Sequence, residues 1–487
     1  MVSASKLQKI EYGDFQTPPE LAEQVCQKLI EIGIQPDVII EPTCGVGNFI
    51  QASAKAFPSA RKIFGFEINA TYFEQLANDN QLITDPRIQI EQGDFFQLDW
   101  EAFTKTIDGK ILVLGNFPWV TNAQQGVITG KNLPLKTNFQ SHQGFDAMTG
   151  KSNFDISEWM LIRIIQGLQK RPSALAMLCK TSVSRKLLNY LFTQKLNLKY
   201  CATYQIDAKK HFGAIVDACL LFCTFEPETH HYFCDVFDRL DSSSYSRIGY
   251  EEGILIKDLN TFQKLKDLSD PNPKKQWRSG IKHDCAKVMI LHKTDGGYLN
   301  GFREVIELEE TLIFPFMKGS DVAQGRIEGG DRFVLITQQS IHESTELIQM
   351  LAPKTWNYLE SCAKQLEARK SKIYQNAPRF SIFGVGSYTF APWKIAICGL
   401  YKKLHFQLIG PRNHKPVIFD DTVYFLAFED QQTADRTFAL LTSAFATDFY
   451  HSLIFWDEKR PIKTSILNRL NLEVLAQRLN NITQTDG

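Results

Sequence analysis

From Val38 to Phe225 the chain alternates short apolar runs with stretches of helical apolar spacing, and no other feature constrains the fold as much. Strands separated by helices pair in parallel through crossover connections, which gives an open α/β sheet with helices on both faces. The first helix is expected over Glu20–Ile32, with Leu21, Val25 and Leu29 on one side. Thr17 is placed to cap it, and Pro18 to occupy the first helical position. Strands are expected at Val38–Glu41, Lys62–Glu67, Arg87–Glu91 and Ile111–Leu114, then at Ala174–Leu178, Tyr200–Ile206 and Ala218–Phe225. Helical spacing also runs to about Phe57 after the first strand, over Ile156–Gly167 and over Leu187–Leu196.

Open α/β sheets hold ligands just outside the carboxyl ends of their strands. The first strand ends at Glu41 and enters Pro42-Thr43-Cys44-Gly45-Val46-Gly47-Asn48-Phe49. Gly45 and Gly47 let the backbone approach a ligand closely, although a dinucleotide fingerprint would carry a third glycine. Glu67 ends the second strand about twenty residues later, where a carboxylate commonly accepts from ribose hydroxyls. After the third strand, Asp94 can accept from an exocyclic amine and Phe95 can cover a purine ring; an ordinary turn aspartate is the plain alternative. The fourth strand runs into Asn116-Phe117-Pro118-Trp119. A planar amide, a proline-stiffened turn and a ring suit a flat, hydrogen-bonding object. Read alone, the same residues are a strand followed by a proline turn with two surface aromatics.

Val120–Asp155 is rich in Gly, Asn, Gln, Ser and Thr without a clear period, and its place after that turn suggests a substrate-facing lid. Between the last two strands lies Lys209-Lys210-His211-Phe212-Gly213, where Phe212 is either a core plug or a stacking platform. Beyond about Pro227 the rhythm of strands and helices stops, and Asp241–Ser246 reads as a linker. Three segments follow: a catalytic domain over 1–235, a linker over 236–260 and a second domain over 261–487. A chain of 487 residues is too long for one core.

The net charge is zero, yet charge is unevenly placed. Trp159–Ile206 holds eight Lys or Arg and Ala368–Phe419 holds nine, with no acid in either. Such stripes suit phosphate contacts, and a solvated basic face is the plain alternative. In the second stripe aromatics interleave with Arg379, Lys394, Lys402, Lys403, Arg412 and Lys415, which makes these six the candidates for DNA contact. The basic run Lys274–Lys282, with Trp277 inside it, is a second feature of this half. Apolar runs are too short to span a bilayer, the first residues lack the core of a signal peptide, and a cytoplasmic protein is expected. The ten cysteines show no CxxC and no metal-ligand spacing, so Cys219 and Cys223 read as core thiols and no metal is expected.

Taken in order, these motifs make the first 230 or so residues resemble the class I S-adenosylmethionine-dependent methyltransferases. More narrowly, they resemble the DNA adenine-N6 enzymes marked by Asn-Pro-Pro-Tyr or a near variant. The resemblance implies a Rossmann-like domain with a mixed, mostly parallel seven-stranded sheet, followed by an α+β target-recognition domain. It implies S-adenosylmethionine as cofactor, held by Thr17, Pro18, Glu41, Thr43, Cys44, Gly45, Gly47, Glu67, Asp94 and Phe95. Asn116, Phe117, Pro118 and Trp119 become the catalytic turn, with Trp119 and Phe212 stacking on the two faces of an extruded base. The Asn116 side-chain oxygen and the Phe117 carbonyl would accept from the target amine. Double-stranded DNA is the implied partner, with a separate restriction endonuclease beside it. The family usually has proline where this chain has Phe117. Methylation of cytosine N4 or of RNA adenine, and an inactive DNA-binding relative, are the alternative readings.

Overall fold

The protein is described as a computed structural model covering residues 15–119, 155–274, 276–328 and 330–485. The proposed lid lies outside the described residues except for Asp155, as does Lys275 of the second basic run. Contacts divide the chain into two compact units, Met1–Asp258 and Leu259–Gly487.

The first unit is built on β1 (Val38–Glu41), β2 (Lys62–Glu67), β3 (Ile88–Gln92), β4 (Ile111–Asn116), β5 (Ser173–Lys180), β6 (Tyr200–Ile206) and β7 (Ala218–Phe225). These pair in the order β3-β2-β1-β4-β5-β7-β6, with only β7 antiparallel to its neighbours. This is the mixed, mostly parallel seven-stranded arrangement that the resemblance implies. Its middle strands are buried along nearly their whole length, which is why they read as continuous apolar runs rather than alternating ones. Helices cover both faces. On one, Ile39, Ile63, Leu112 and Leu114 meet α1 (Pro19–Glu31) and α2 (Asn48–Ala56). On the other, Ile40, Phe64, Val113 and Met177 meet α4 (Trp100–Lys105), α5 (Ile156–Leu168) and α6 (Thr181–Thr193). The remaining helices of the unit include α3 (Ala70–Ala77) and α7 (Ala208–Phe212).

Two expectations need correction here. The helix after Thr17 starts at Pro19, with Pro18 as the cap residue and no side-chain cap; the Thr17 side chain is buried instead. The stretch 236–260 is not a linker. β8 (Phe233–Phe237), β9 (Tyr245–Glu251) and β10 (Ile254–Ile256) extend the sheet beyond β6 to ten strands. Their ladder bonds cover the β6 edge, so the Ser-rich run is a hairpin turn between β8 and β9.

The second unit is α+β. One sheet has the order β11-β20-β17-β18, from Arg278–Ser279, Val423–Phe428, Trp393–Cys398 and Gln407–Ile409. A six-stranded sheet has the order β14-β13-β12-β16-β15-β19, from Val305–Ile306, Gly297–Leu299, Ile290–Thr294, Arg332–Leu335, Ile313–Met317 and Ile418–Phe419. Among the described residues no helix is long and apolar enough to cross a membrane.

Candidate active site

In the strand order β2-β1-β4 the chain first winds away from β1 on one side and later returns on the other. The crevice at the carboxyl ends of β1 and β4 is therefore the topological switch point, where open α/β sheets bind ligands. A cavity lies there. Thr17, Glu41, Thr43, Cys44, Gly45, Glu67, Asp94, Phe95, Asn116 and Pro118 all line it. Residues more than a hundred positions apart in sequence thus meet at one site.

The turn after β1 is held from two sides. Gly45 (φ 52°) and Gly47 (φ 82°) both adopt left-handed backbone. A Cβ on Gly45 would come within 2.3 Å of the Gln16 side-chain oxygen, which accepts from the Val46 N–H at 3.1 Å. On the other side, the Glu67 carboxylate accepts from Gly45 N–H and Asn69 N–H, each at 2.7 Å. Asn48 donates to the Thr17 carbonyl at 2.7 Å, tying the segment before α1 to the start of α2. Asp94 accepts from Phe96 N–H at 2.9 Å, which fixes the turn after β3. Phe95 is buried against Trp100 and Phe117, and it reaches the cavity from that cluster.

Two polar atoms at the cavity are buried without a hydrogen-bond partner, Glu41 Oε2 and Asn116 Oδ1. A buried acceptor left unmatched is costly, so such atoms point to a ligand. Burial, and then the nearby charge of Glu67, push the Glu41 carboxyl well above the usual range, against a single backbone N–H from Ile50. The site is therefore built to take a cation or a hydrogen-bond donor beside Glu41. The Asn116 amide is oriented by its other end: its nitrogen donates to the Phe15 carbonyl at 3.0 Å, which leaves the oxygen free.

The two aromatic residues of the turn are both buried. The Phe117 ring is 1% exposed and packs on Phe95 with ring centroids 5.4 Å apart, so it belongs to the core beneath the cavity. Trp119 is buried, and its ring lies 4.9 Å from Phe212 and 5.6 Å from Phe15. A base between two rings needs centroids about 7 Å apart, twice a carbon contact distance of about 3.5 Å. Trp119 and Phe212 thus lie together as expected, but against each other with no slot between them. Apolar rings at a mouth bury one another, and the Trp119 Nε1–H is left without an acceptor. Neither ring lines the cavity, and nor do Pro18, Gly47 and Phe117.

The six candidates for DNA contact in the second unit are dissimilar. Lys402 and Lys403 are exposed. Lys394 is not available for a phosphate: it is 1% exposed on β17, donating to the carbonyls of Ala391 at 2.9 Å and Val417 at 2.8 Å. The strand around it, Trp393–Cys398, is buried at every position after the first. Arg379 pairs with Glu360 and Glu367. Arg412 donates to the Ile327 carbonyl, and Lys415 to those of Glu310 and Ile313. Phe380 and Phe406, among the interleaved aromatics, are core. The first basic stripe is likewise matched by acids outside it: Lys170 to Glu101, Lys180 to Asp155, Lys186 to Glu158 and Lys199 to Glu226.

Sequence reasoning missed Phe15, Gln16, Asn69, Tyr72, Ile156 and Met160 on the cavity wall. Phe15 and Gln16 directly precede Thr17, so the motif could have been extended by two residues. Ile156 and Met160 are four apart on α5 and carried only a core signal. Among the described residues no cluster of three or more His, Cys, Asp or Glu is placed to hold a metal ion.

No protein-family model matches the chain. Over 469 residues, 96% of this chain and 98% of the relative, it is 60% identical to the type II methyltransferase M.NspV of Nostoc sp.. A stretch of 111 residues, 23% of this chain and 34% of the relative, is 29% identical to the ribosomal RNA small subunit methyltransferase H of Polynucleobacter asymbioticus. Among solved structures, the type IIL restriction-modification enzyme MmeI in complex with DNA aligns over 95% of this chain and 65% of its own, with a TM-score of 0.49 and 12% identity.

Proposed function

The chain belongs to the type II methyltransferases, the site-specific DNA-methylating enzymes of restriction-modification systems, and on that premise we propose that it methylates the N6 amine of adenine in duplex DNA. The observation that carries the choice of an amine is Asn116. Its side-chain oxygen is buried and unpartnered, its amide is fixed by the bond to Phe15, and the residue lines the switch-point cavity.

The cofactor is S-adenosylmethionine, which when bound supplies a methyl group carried on a positively charged sulfur. The wall fits such a molecule: a buried carboxyl at Glu41 for its positive charge, and Glu67 and Asp94 for hydroxyl and amine donors. Phe95 offers a ring face to its purine. Gln16, Thr17 and the turn from Pro42 to Asn48 keep water from the reacting end.

Adenine N6 is a poor nucleophile because its lone pair is drawn into the ring. Asn116 Oδ1 and the Phe117 carbonyl accept hydrogen bonds from its two N–H groups and hold the nitrogen pyramidal, with the lone pair turned toward the methyl group, and one N–H proton is lost to solvent after transfer. Asn116 Oδ1 is held by its own amide before the base arrives, so little reorganisation remains on that side for the transition state. The amine is out of reach inside a duplex, and the base enters extruded. Trp119 and Phe212 then part to stack on it, and Phe117 acts through its main chain. Lys402 and Lys403 contact the phosphate backbone, and the second unit reads the target sequence. A restriction endonuclease of the same specificity is the expected companion.

The test is incubation of the purified protein with labelled S-adenosylmethionine and duplex DNA, followed by digestion and mass spectrometry of the nucleosides. N6-methyladenine is the expected product. N4-methylcytosine, or label entering RNA only, would replace the adenine reading.

A further inference from the structure

A lysine ends β5 where α6 begins, and it stands as the residue preceding that helix. A cation is electrostatically the wrong charge for a helix N-terminus. Lys180 is nevertheless only partly exposed, and one of its hydrogen bonds reaches the catalytic turn while the other reaches the helix beside it. Its Nζ donates to the Trp119 carbonyl at 3.0 Å and to Asp155 Oδ2 at 2.6 Å. Asp155 is buried, and its other oxygen accepts from Ser157 N–H at 3.3 Å and Ser157 Oγ at 2.6 Å, so the carboxylate is itself fixed on α5. The register of β4 on β5 sets Asn116 beside Leu178, which brings the end of β5 alongside the turn.

The turn is therefore held at both ends. At the first residue, Asn116 donates to Phe15, and its carbonyl accepts from Thr43 Oγ1 at 3.4 Å. At the last residue, Trp119 is held by Lys180. Between the two lies the Phe117 carbonyl, the second acceptor for the target amine. A proline at position 117 would fix its own φ; phenylalanine leaves that torsion soft, and Pro118 restrains the residue before it only to the extended region. Any swing about that torsion displaces the Trp119 carbonyl, which a charged, braced donor resists.

We propose that Lys180, braced by Asp155, is a positioning residue that fixes the Asn116–Trp119 turn and supplies the stiffness which proline at position 117 would give. The inference rests on the methyl-transfer reading above. Lys180 does not touch the reacting atoms; it determines where the Phe117 carbonyl points.

The experiment compares single-turnover methyl transfer to cognate DNA, at saturating cofactor, with calorimetric affinity for S-adenosylmethionine. Lys180→Met should slow transfer about 10-fold or more while cofactor affinity stays within about twofold, because misplacing an acceptor costs rate and not cofactor contacts. Lys180→Arg, which keeps a cation, should stay within about threefold of the natural rate. The natural rate in a folded Lys180→Met protein, or an equal loss of rate and cofactor affinity, overturns the proposal. Should Lys180→Met not fold, Asp155→Asn keeps an acceptor for Ser157 and removes the ion pair. It should be several-fold slower at unchanged cofactor affinity, and an unchanged rate overturns the brace. Transfer by the unsubstituted protein to no DNA at all would sink the methyl-transfer reading and this inference together, whereas an active protein indifferent to Lys180 sinks the inference alone.

Discussion

Asn116 has one amide and its two ends differ: the nitrogen is spent on Phe15, and the oxygen has no hydrogen-bond partner and is the acceptor that the proposed function assigns to the target amine. Asn116→Ala should therefore lower methyl transfer by about 100- to 1,000-fold, the usual cost of one preorganised hydrogen-bonding partner, with cofactor affinity nearly unchanged. Tritiated methyl incorporation beside a calorimetric titration checks both halves, and residual transfer above a tenth of the natural rate would move the acceptor elsewhere. Glu67 carries a double task, because its oxygens already accept from Gly45 and Asn69. Glu67→Ala should weaken cofactor binding by roughly 1.5–3 kcal/mol per lost charge-assisted bond, and it should also loosen the turn after β1. Faster hydrogen exchange at the Gly45 and Asn69 amides would separate the second effect from the first. Phe117 is where one residue's part was least legible. From sequence it stood in a catalytic motif, whereas its ring fills the core against Phe95. Phe117→Ala should then cost stability of about 3–5 kcal/mol, as a buried ring lost to a cavity does, visible as a lowered melting midpoint.

Among the elements, the strands and helices of the first unit followed from periodicity, since each middle strand is a continuous apolar run bounded by polar turns. What periodicity could not show was the last three strands. Tyr245–Glu251 mixes Ser, Arg, Gly and Glu, because the outer part of the sheet is only half-buried and its composition resembles a loop. The site was legible as motifs at strand ends, but the pairing of Trp119 with Phe212 was not, because ring contacts across elements leave no local pattern. If those rings part to admit the target base, by about 2 Å from 4.9 Å to the spacing of a sandwich, the surroundings of Trp119 change on binding. With the other six tryptophans as background, the difference in emission between the natural protein and Trp119→Phe should change on adding cognate DNA and not on adding unrelated DNA. β17 supplies a pH test. Burial pulls Lys394 from 10.5 to about 7, with backbone carbonyls in place of a counter-charge. Between those values the unfolded chain holds a proton that the folded one lacks, so stability rises with pH across that window; below it both hold the proton and the full cost of burying the ammonium is present. Lys394→Met should be the more heat-stable protein near neutral pH, by a margin that shrinks as pH rises. A margin independent of pH would show that the buried amine keeps its proton across the range, as the unfolded chain does.

At the scale of the whole molecule, the boundary decides what each half can do alone. Everything that lines the cavity belongs to residues 1–258, as do the ten-stranded sheet and the two core clusters on its faces. A unit with its own core can fold by itself. The fragment 1–258 should therefore bind S-adenosylmethionine as the full chain does. Ending it at 235 instead would cut through β8, remove β9 and β10, and expose the backbone edge of β6, so that shorter fragment should aggregate. Light scattering of the two fragments at equal concentration tests the boundary without reference to function. DNA recognition should divide differently. Specific binding exceeds non-specific binding by roughly 10³-fold or more in proteins that read base edges, and phosphate contacts alone give no such ratio. In the first unit four of the eight cations of the basic stripe are paired with Glu101, Asp155, Glu158 and Glu226, which leaves fewer to hold a duplex in register. The fragment should lose sequence preference and most of its affinity for duplex DNA, while free adenine-containing single strands, which need no extrusion, remain weak substrates. Gel shifts with cognate and scrambled duplexes, at one stated salt concentration, measure the ratio. A fragment that keeps the preference of the full chain would place target reading in the first unit and remove it from residues 259–487.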